Sequence, residues 1–233
     1  IFPRMLLLAV LAFMIILLDR LSPFFLSWSN IRNILDQASL YIVLSVGMTF
    51  VICSGGIDLS IGAVIAMSGV VMALCMKAGV SVALAIGIGL SAGIAIGLVN
   101  GLLIAYANIN PFIVTLSIMS VVRGTSLLMT NGRPIFGFDE AFKFWGSGSI
   151  GPVNPPILIS LGLVALGIVL LSCTRFGNYS LILGSNEEAL RRTGVNVKVY
   201  KTAIYAFCGL CAAIAGLIIC ARLNTAEPLA GWA

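Results

Sequence analysis

Ionisable residues set within apolar sequence are the first candidates for chemistry, and here they are few. Asp58 lies in Ser54-Gly55-Gly56-Ile57-Asp58-Leu59-Ser60-Ile61-Gly62, and Lys77 is the only charge between it and Arg123. A carboxylate in such surroundings is costly unless it is paired, capped or facing water. The glycine pair can break a helix, and Asp58 or Ser60 can cap the helix that restarts within residues 57–59. The same segment can also be a solute-facing or gating element, because broken membrane helices are tolerated where they line a cavity. Arg123, just before Gly124, is either a buried cation paired with a carboxylate or a side chain reaching for the interface. Asn100 and Asn131 lie near the ends of apolar runs, and Asn131-Gly132 is first of all a turn signal. Gly55, Gly56, Asp58, Ser60, Asn100 and Arg123 are therefore the candidate pathway or gating residues.

Covalent chemistry finds little support. Cys208-x-x-Cys211 has the spacing of a redox or metal pair, but it lies in an apolar run, with no second pair and no histidine in the chain. All six cysteines, at 53, 75, 173, 208, 211 and 220, sit among apolar residues and read as small hydrophobes, with no disulfide framework. There is no Gly-x-x-x-x-Gly-Lys-Ser/Thr phosphate loop and no pair of intramembrane carboxylates for proton relay. The sequence predicts no catalytic residue, no metal site and no cofactor held by this chain. If a nucleotide drives it, another chain must supply the ATPase, with its ATP and Mg.

The elements that must position these residues are membrane helices. Of 233 residues, 60% are hydrophobic and only 9% charged, against about 25% charged in a soluble domain. A span needs ~20 apolar residues, so the chain has room for roughly seven. Uncharged runs mark them at 5–18, 38–53, 57–76, 80–106, 111–129, 156–173 and 202–221, with 21–36 as an aromatic and polar interfacial segment. More spans follow the first run and no small-residue cleavage site does, so it reads as a membrane helix and not a signal peptide. Backbone groups in lipid must be satisfied internally, and no run shows the alternation of a barrel strand. The class is an all-α polytopic transmembrane helical bundle. Gly89, Gly93, Gly97 and Gly101 recur at steps of four, stacking on one helix face suited to close packing.

The net charge of +5 is scattered between the apolar runs, which excludes a nucleic-acid stripe. Its placement is topological. Residues 174–201 hold five basic residues (Arg175, Arg191, Arg192, Lys198, Lys201), whereas 130–155 hold two, Arg133 and Lys143. The positive-inside bias puts 174–201 in the cytoplasm and, six crossings earlier, the N-terminus with Arg4 on the same side. Lys77 then lies outside. Within that loop, Gly184-Ser185-Asn186-Glu187-Glu188-Ala189-Leu190-Arg191-Arg192-Thr193-Gly194 reads as a short capped helix. Ser185 or Asn186 is its N-cap, Glu187 and Glu188 open it, Arg191 and Arg192 close it, and Gly194 stops it. Such a helix between two spans either meets a partner or lies on the membrane surface.

Three stretches now carry a resemblance. They are Val46-Gly47-Met48-Thr49-Phe50-Val51-Ile52 running into Gly55-Gly56-Ile57-Asp58-Leu59-Ser60; Val99-Asn100-Gly101-Leu102 with Pro111-Phe112-Ile113-Val114-Thr115-Leu116 and Arg123-Gly124; and Gly184 through Gly194 with Ala221-Arg222-Leu223. Together they resemble the permease subunits of bacterial ATP-binding-cassette importers for monosaccharides, the ribose and autoinducer-2 group. Glu188-Ala189, Gly194 and Ile204 keep the spacing of the importer family's loop pattern, but Leu190 replaces its second Ala and no Leu-Pro follows Ile204.

The resemblance implies a type II importer fold of ten spans, of which this chain would hold seven. It begins at Ile1 without Met and ends at Ala233 soon after a span, so both ends read as cuts in a single permease domain, 1–233. It implies that 174–201 is a cytoplasmic coupling loop in which Glu187, Glu188, Ala189, Arg191 and Gly194 dock on the ATPase. The implied partners are that ATPase, a periplasmic or tethered sugar-binding protein, a second permease copy or paralogue, and the lipid of the bacterial inner membrane. ATP-driven closure of the ATPase pair would switch the pathway from inward-open to outward-open. Other readings stay open. A branched-chain amino-acid or autoinducer-2 permease is nearest. An ion-coupled secondary transporter would need ionisable residues in mid-span, where only Asp58 and Arg123 qualify. A membrane enzyme would need clustered titratable groups.

Overall fold

A computed structural model describes residues 2–231, with side chains from residue 5 onward, so the Arg4 side chain and the chain end at Ala233 lie outside it. The element order is α1 (Phe2–Leu21), α2 (Trp28–Cys53), α3 (Ile61–Lys77), α4 (Val82–Ala105), α5 (Pro111–Thr130), β1 (Ile135–Phe136), α6 (Glu140–Ser147), α7 (Pro155–Cys173), α8 (Arg175–Arg192), α9 (Val197–Leu223) and β2 (Thr225–Ala226). Contacts divide the chain into two compact units, Ile1–Ala38 and Ser39–Ala233. Among the described residues α2, α4, α5, α7 and α9 are each long and apolar enough to cross a membrane, while α3 is a shorter apolar helix. Large apolar side chains such as Val121, Leu128, Leu161 and Ile168 stand exposed. In water they would be a liability; in hydrocarbon they are the solvent-facing surface of an all-α polytopic membrane protein.

Local chemistry sets the helix ends. Asn110 accepts the Phe112 amide through Oδ1 at 2.9 Å, with Pro111 in the first helical position of α5. Asn131 (φ 50°) closes α5 left-handed, and the Gly132 amide returns to Leu127 O at 2.8 Å. Gly79 (φ 82°) ends α3 in the same way, with Val80 N on Cys75 O at 3.0 Å.

Residues 28–36, within the aromatic and polar segment, form the first turns of α2, which Ser27 caps by accepting the Asn30 amide at 3.3 Å. The break after α2 is longer than expected, and α3 restarts at Ile61 instead of within 57–59.

α9 is the axle of the larger unit. Its buried residues run along the whole helix, from Val197 and Ile204 to Ile218 and Ala221. It packs against α3, α4 and α6. α4 reaches it through Gly93, Gly97 and Gly101, which are buried, as is Gly89. A methyl on Gly93 would lie 2.5 Å from Ala213 Cβ and 2.6 Å from Gly209 O, and one on Gly101 would lie 2.5 Å from Thr202 Cα. Gly97 faces the Tyr205 carbonyl, and Gly89 faces Met72 of α3. Cys208 and Cys211, one turn apart, give α2 the same close approach: Gly47 sits against Cys208 Cα and Cys211 Cβ.

The excursion between α5 and α7 folds onto the far end of this axle. β1 pairs antiparallel with β2, Ile135 opposite Ala226 and Phe136 opposite Thr225. Phe138 N donates to Asn224 Oδ1 at 2.9 Å, and Gly146 of α6 touches the backbone at Arg222. Lys77 Nζ donates to Gly137 O at 3.3 Å, so the end of α3 joins the same group. This end of the bundle is therefore opposite to the one carrying α8.

Replacing Gly97 with Leu would drive a side chain into the α9 backbone, which has no room to give. Overpacking of this kind costs about 1–3 kcal/mol, so Gly97→Leu should lower the unfolding temperature of the purified protein by several degrees. Gly87→Leu, on the exposed face of the same helix with nothing within 4 Å, should leave it unchanged. Equal effects in a thermal melt would contradict the packing account.

Candidate functional site

The break between α2 and α3 is built from hydrogen bonds that the sequence supplies locally. Gly55 (φ 76°) turns left-handed. Its amide donates to Ile52 O at 2.9 Å and the Gly56 amide donates to Val51 O at 3.0 Å. The pair forms the double-bonded Gly stop of a helix end. Asp58 then organises the restart. Its Oδ1 accepts the Ser60 amide at 2.8 Å and the Ser60 hydroxyl at 2.6 Å. The carboxylate thus serves the residue ahead of α3, and Ser60 itself makes no side-chain cap bond.

The cluster extends across the bundle. Asn100 Nδ2 donates to Ser60 Oγ at 2.8 Å, tying α4 to the break. Asp58, Ser60 and Asn100 are all buried, at 3%, 0% and 0% exposure. Asn100 Oδ1 has no hydrogen-bond partner. The Cys208 thiol of α9 lies beside the Asp58 carboxylate. Tyr205, also on α9 and buried, donates from its hydroxyl to Ile57 O at 3.3 Å and covers Gly56. Two separate elements, α4 and α9, therefore converge on one irregular segment. Every heteroatom in this group except the Asp58 carboxyl is formally neutral, which suits contact with uncharged polar groups better than with ions.

Arg123 stands apart from this cluster. Its Nη1 donates to Leu229 O at 3.4 Å, and its Nη2 passes close to Gly62. It is buried within the protein and holds the segment after β2 rather than reaching outward as an interfacial side chain.

The charged segment after α7 is more helical than the sequence suggests. α8 starts at Arg175, capped by Thr174, whose Oγ1 accepts Gly177 N at 3.3 Å. Asn186 interrupts it with extended backbone (φ −158°, ψ 88°). Of the two caps the sequence offers, Asn186 is the one used: its Oδ1 accepts the Ala189 amide at 2.9 Å, while Ser185 bonds backward to Ile182 O. Residues 187–192 form the short helix. Glu187 pairs with Arg191 at 3.3 Å and also with Lys201, and Glu188 pairs with Arg192 at 3.2 Å. Gly194 (φ 83°) ends the segment with open space around it. Leu190 alone is buried, in the apolar cluster of Phe50, Val51, Leu183, Ile204 and Tyr205. One leucine anchors the helix while its charged face stays exposed.

Sequence reasoning missed Tyr205 and the close contact at Gly184. An added methyl on Gly184 would fall on Cys53 O and within 3.1 Å of Gly55 N. The only available signals were a lone tyrosine in an apolar span and a glycine just ahead of a cap.

The family described as branched-chain amino acid transport system / permease component matches residues 30–233. The ribose import permease of Escherichia coli strain K12 is 40% identical over 229 residues, covering 96% of this chain and 71% of that protein. The ribose import permease of Bacillus subtilis strain 168 is 41% identical, covering 94% of this chain and 68% of its own length. The D-allose transport system permease of E. coli K12 is 35% identical, covering 95% and 69%. No solved structure matches.

Removing the Asp58 carboxylate would leave buried Ser60 donors without an acceptor, at about 1–3 kcal/mol. Asp58→Ala should therefore reduce the folded yield and melting temperature clearly. Asp58→Asn, which keeps an acceptor oxygen, should be much milder. If the two variants melt alike, the role of Asp58 as acceptor for Ser60 is wrong.

Proposed function

The chain belongs to the family of branched-chain amino acid transport system permease components, and on that premise we propose that it is the membrane-spanning subunit of an ATP-driven importer for a monosaccharide. It is a translocation subunit and not an enzyme. The observation that carries the substrate class is the agreement of relatives: ribose and allose permeases match nearly the whole chain, and a galactofuranose and an arabinose permease match most of it. The physics of the break supports the same class. Its polar groups are hydroxyl and amide, with one carboxylate engaged by Ser60, so nothing there would balance the two charges of a free amino acid. This favours a sugar over the amino acid in the family's description.

In this reading seven helices cross the membrane: α1, α2, α3, α4, α5, α7 and α9. The N-terminus and the segment 174–201 face the cytoplasm, where the basic residues concentrate. The short helix at 187–192 is the coupling element. Glu187, Glu188, Ala189 and Arg191 present its exposed face, and Gly194 gives the clearance for docking into a groove of the ATPase. Two permease subunits enclose the pathway, a binding protein delivers the sugar from outside, and ATP with Mg is held entirely on the partner. Gly55, Gly56, Asp58, Ser60 and Asn100 form the gating segment, and Arg123 braces the segment after β2.

Co-expression with the neighbouring genes tests this. Glu188 lies in an exposed ion pair worth at most about 1 kcal/mol, and the surroundings of Gly194 are open. Glu188→Arg and Gly194→Trp should therefore leave the permease folded while cutting ATPase retention about tenfold, a loss of ~1.4 kcal/mol of binding. Unchanged co-purification would remove the coupling assignment. For the substrate, excess unlabelled ribose should suppress tracer sugar uptake by reconstituted vesicles, and leucine should not. The reverse result would establish the amino-acid reading.

A further inference from the structure

One close approach links the two functional segments directly. Gly184 is the last glycine before α8 breaks at Asn186. Its α-carbon rests on the backbone of the other break, at Cys53 O and Gly55 N. The contact is reciprocal, since a methyl on Gly55 would lie 3.4 Å from Gly184 Cα. No side chain separates the two backbones, so nothing compliant lies between them. Leu183 and Leu190, on either side of the α8 break, share an apolar cluster with Phe50 and Val51 of α2 and with Tyr205 of α9. That cluster holds the segments together, and the glycine contact sets their spacing.

From this we infer that Gly184 is a positioning residue for transport: it transmits displacement of the 187–192 helix to the broken span at Cys53–Gly55. The inference rests on the proposed role of that helix in docking the ATPase. A rigid push at Gly184 moves the Cys53–Gly56 turn, because packed backbones do not compress. Gly56 is covered by the Tyr205 hydroxyl, which bonds Ile57 O. The next residue, Asp58, fixes Ser60, and Ser60 holds Asn100 of α4. The displacement thus arrives within a few residues at the polar cluster of the gate. Both glycines are needed for different reasons: Gly55 for its left-handed turn, Gly184 because any β-carbon there would lengthen the spacing.

The experiment uses the permease co-purified with its ATPase. Cys53 is half-buried beside the contact and reports on it through its rate of modification by N-ethylmaleimide, located by peptide mass spectrometry. In the wild-type complex that rate should differ between the nucleotide-free state and the state trapped with Mg and a non-hydrolysable ATP analogue. Gly184→Ala should keep the ATPase bound, abolish the nucleotide dependence at Cys53 and lower sugar uptake at least about tenfold, the scale of loss from misplacement by a fraction of an ångström to an ångström. Gly162→Ala, at an exposed position of α7 with nothing within 4 Å, should behave as wild type in all three assays. Wild-type uptake in Gly184→Ala would overturn the inference. If that variant does not accumulate, the wild-type labelling decides alone: a Cys53 rate indifferent to nucleotide, with ATPase bound, overturns the inference and leaves the proposed function standing. An ATPase absent from the wild-type preparation overturns both.

Discussion

A chain in lipid must satisfy every backbone amide and carbonyl from within, and the irregular segment at 54–60 is where this protein meets that demand without a helix. Gly55 and Gly56 return their amides to Ile52 and Val51. Asp58 takes up the Ser60 donors, and Tyr205 satisfies Ile57 O. Once those groups are placed, their neighbours are constrained. α9 must bring Tyr205 and Cys208 to the break, α4 must bring Asn100, and α8 must lay Gly184 on the turn. An unpaired backbone group here would cost several kcal/mol in hydrocarbon, so the arrangement of the break is held by necessity at its centre and by packing at its edges.

The glycines of α4 answer a related problem. Lipid offers no hydrophobic drive to press helices together, so they associate by close fit. Gly93 against Gly209, and Gly97 and Gly101 against the α9 backbone, bring the axes near enough for Asn100 to reach Ser60. Lengthening any of these contacts would pull the amide away from its hydroxyl. Packing and polar recognition are thus one geometric condition expressed at different residues.

Much of this was legible in the residues. The break at Gly55-Gly56, the glycine face of α4, the short helix stopped by Gly194, and the α5, α7 and α4 bounds to within about two residues all follow from local rules of propensity and capping, whereas Asp58 binds Ser60 and caps no amide of α3. What escaped is non-local. The restart at Ile61 comes late because the Asp58 turn uses residues that could have been helical. The polar residues 28–36 belong to no apolar run, yet they open α2 from the Ser27 cap. β1 and β2 are two residues each, too short for any periodic signal, and exist only because they meet. Gly184 and Tyr205 matter through contacts with residues about 130 and 150 positions away, and no window along the chain reports such distances.

The pairing of β1 with β2 also has a temporal side. Ile135 and Ala226 are separated by about 90 residues, and a ribosome adds roughly 5–20 residues each second. For about 5–20 s of synthesis, the excursion between α5 and α7 has emerged while its strand partner does not yet exist. During that interval α6 lacks the end of α9 on which it rests, and Phe138 and Phe142 have no finished core to enter. α9 therefore acts as a clasp on the biogenesis of the excursion that rests on it, and an arrest in its insertion would leave the earlier loop open to a protease or a chaperone.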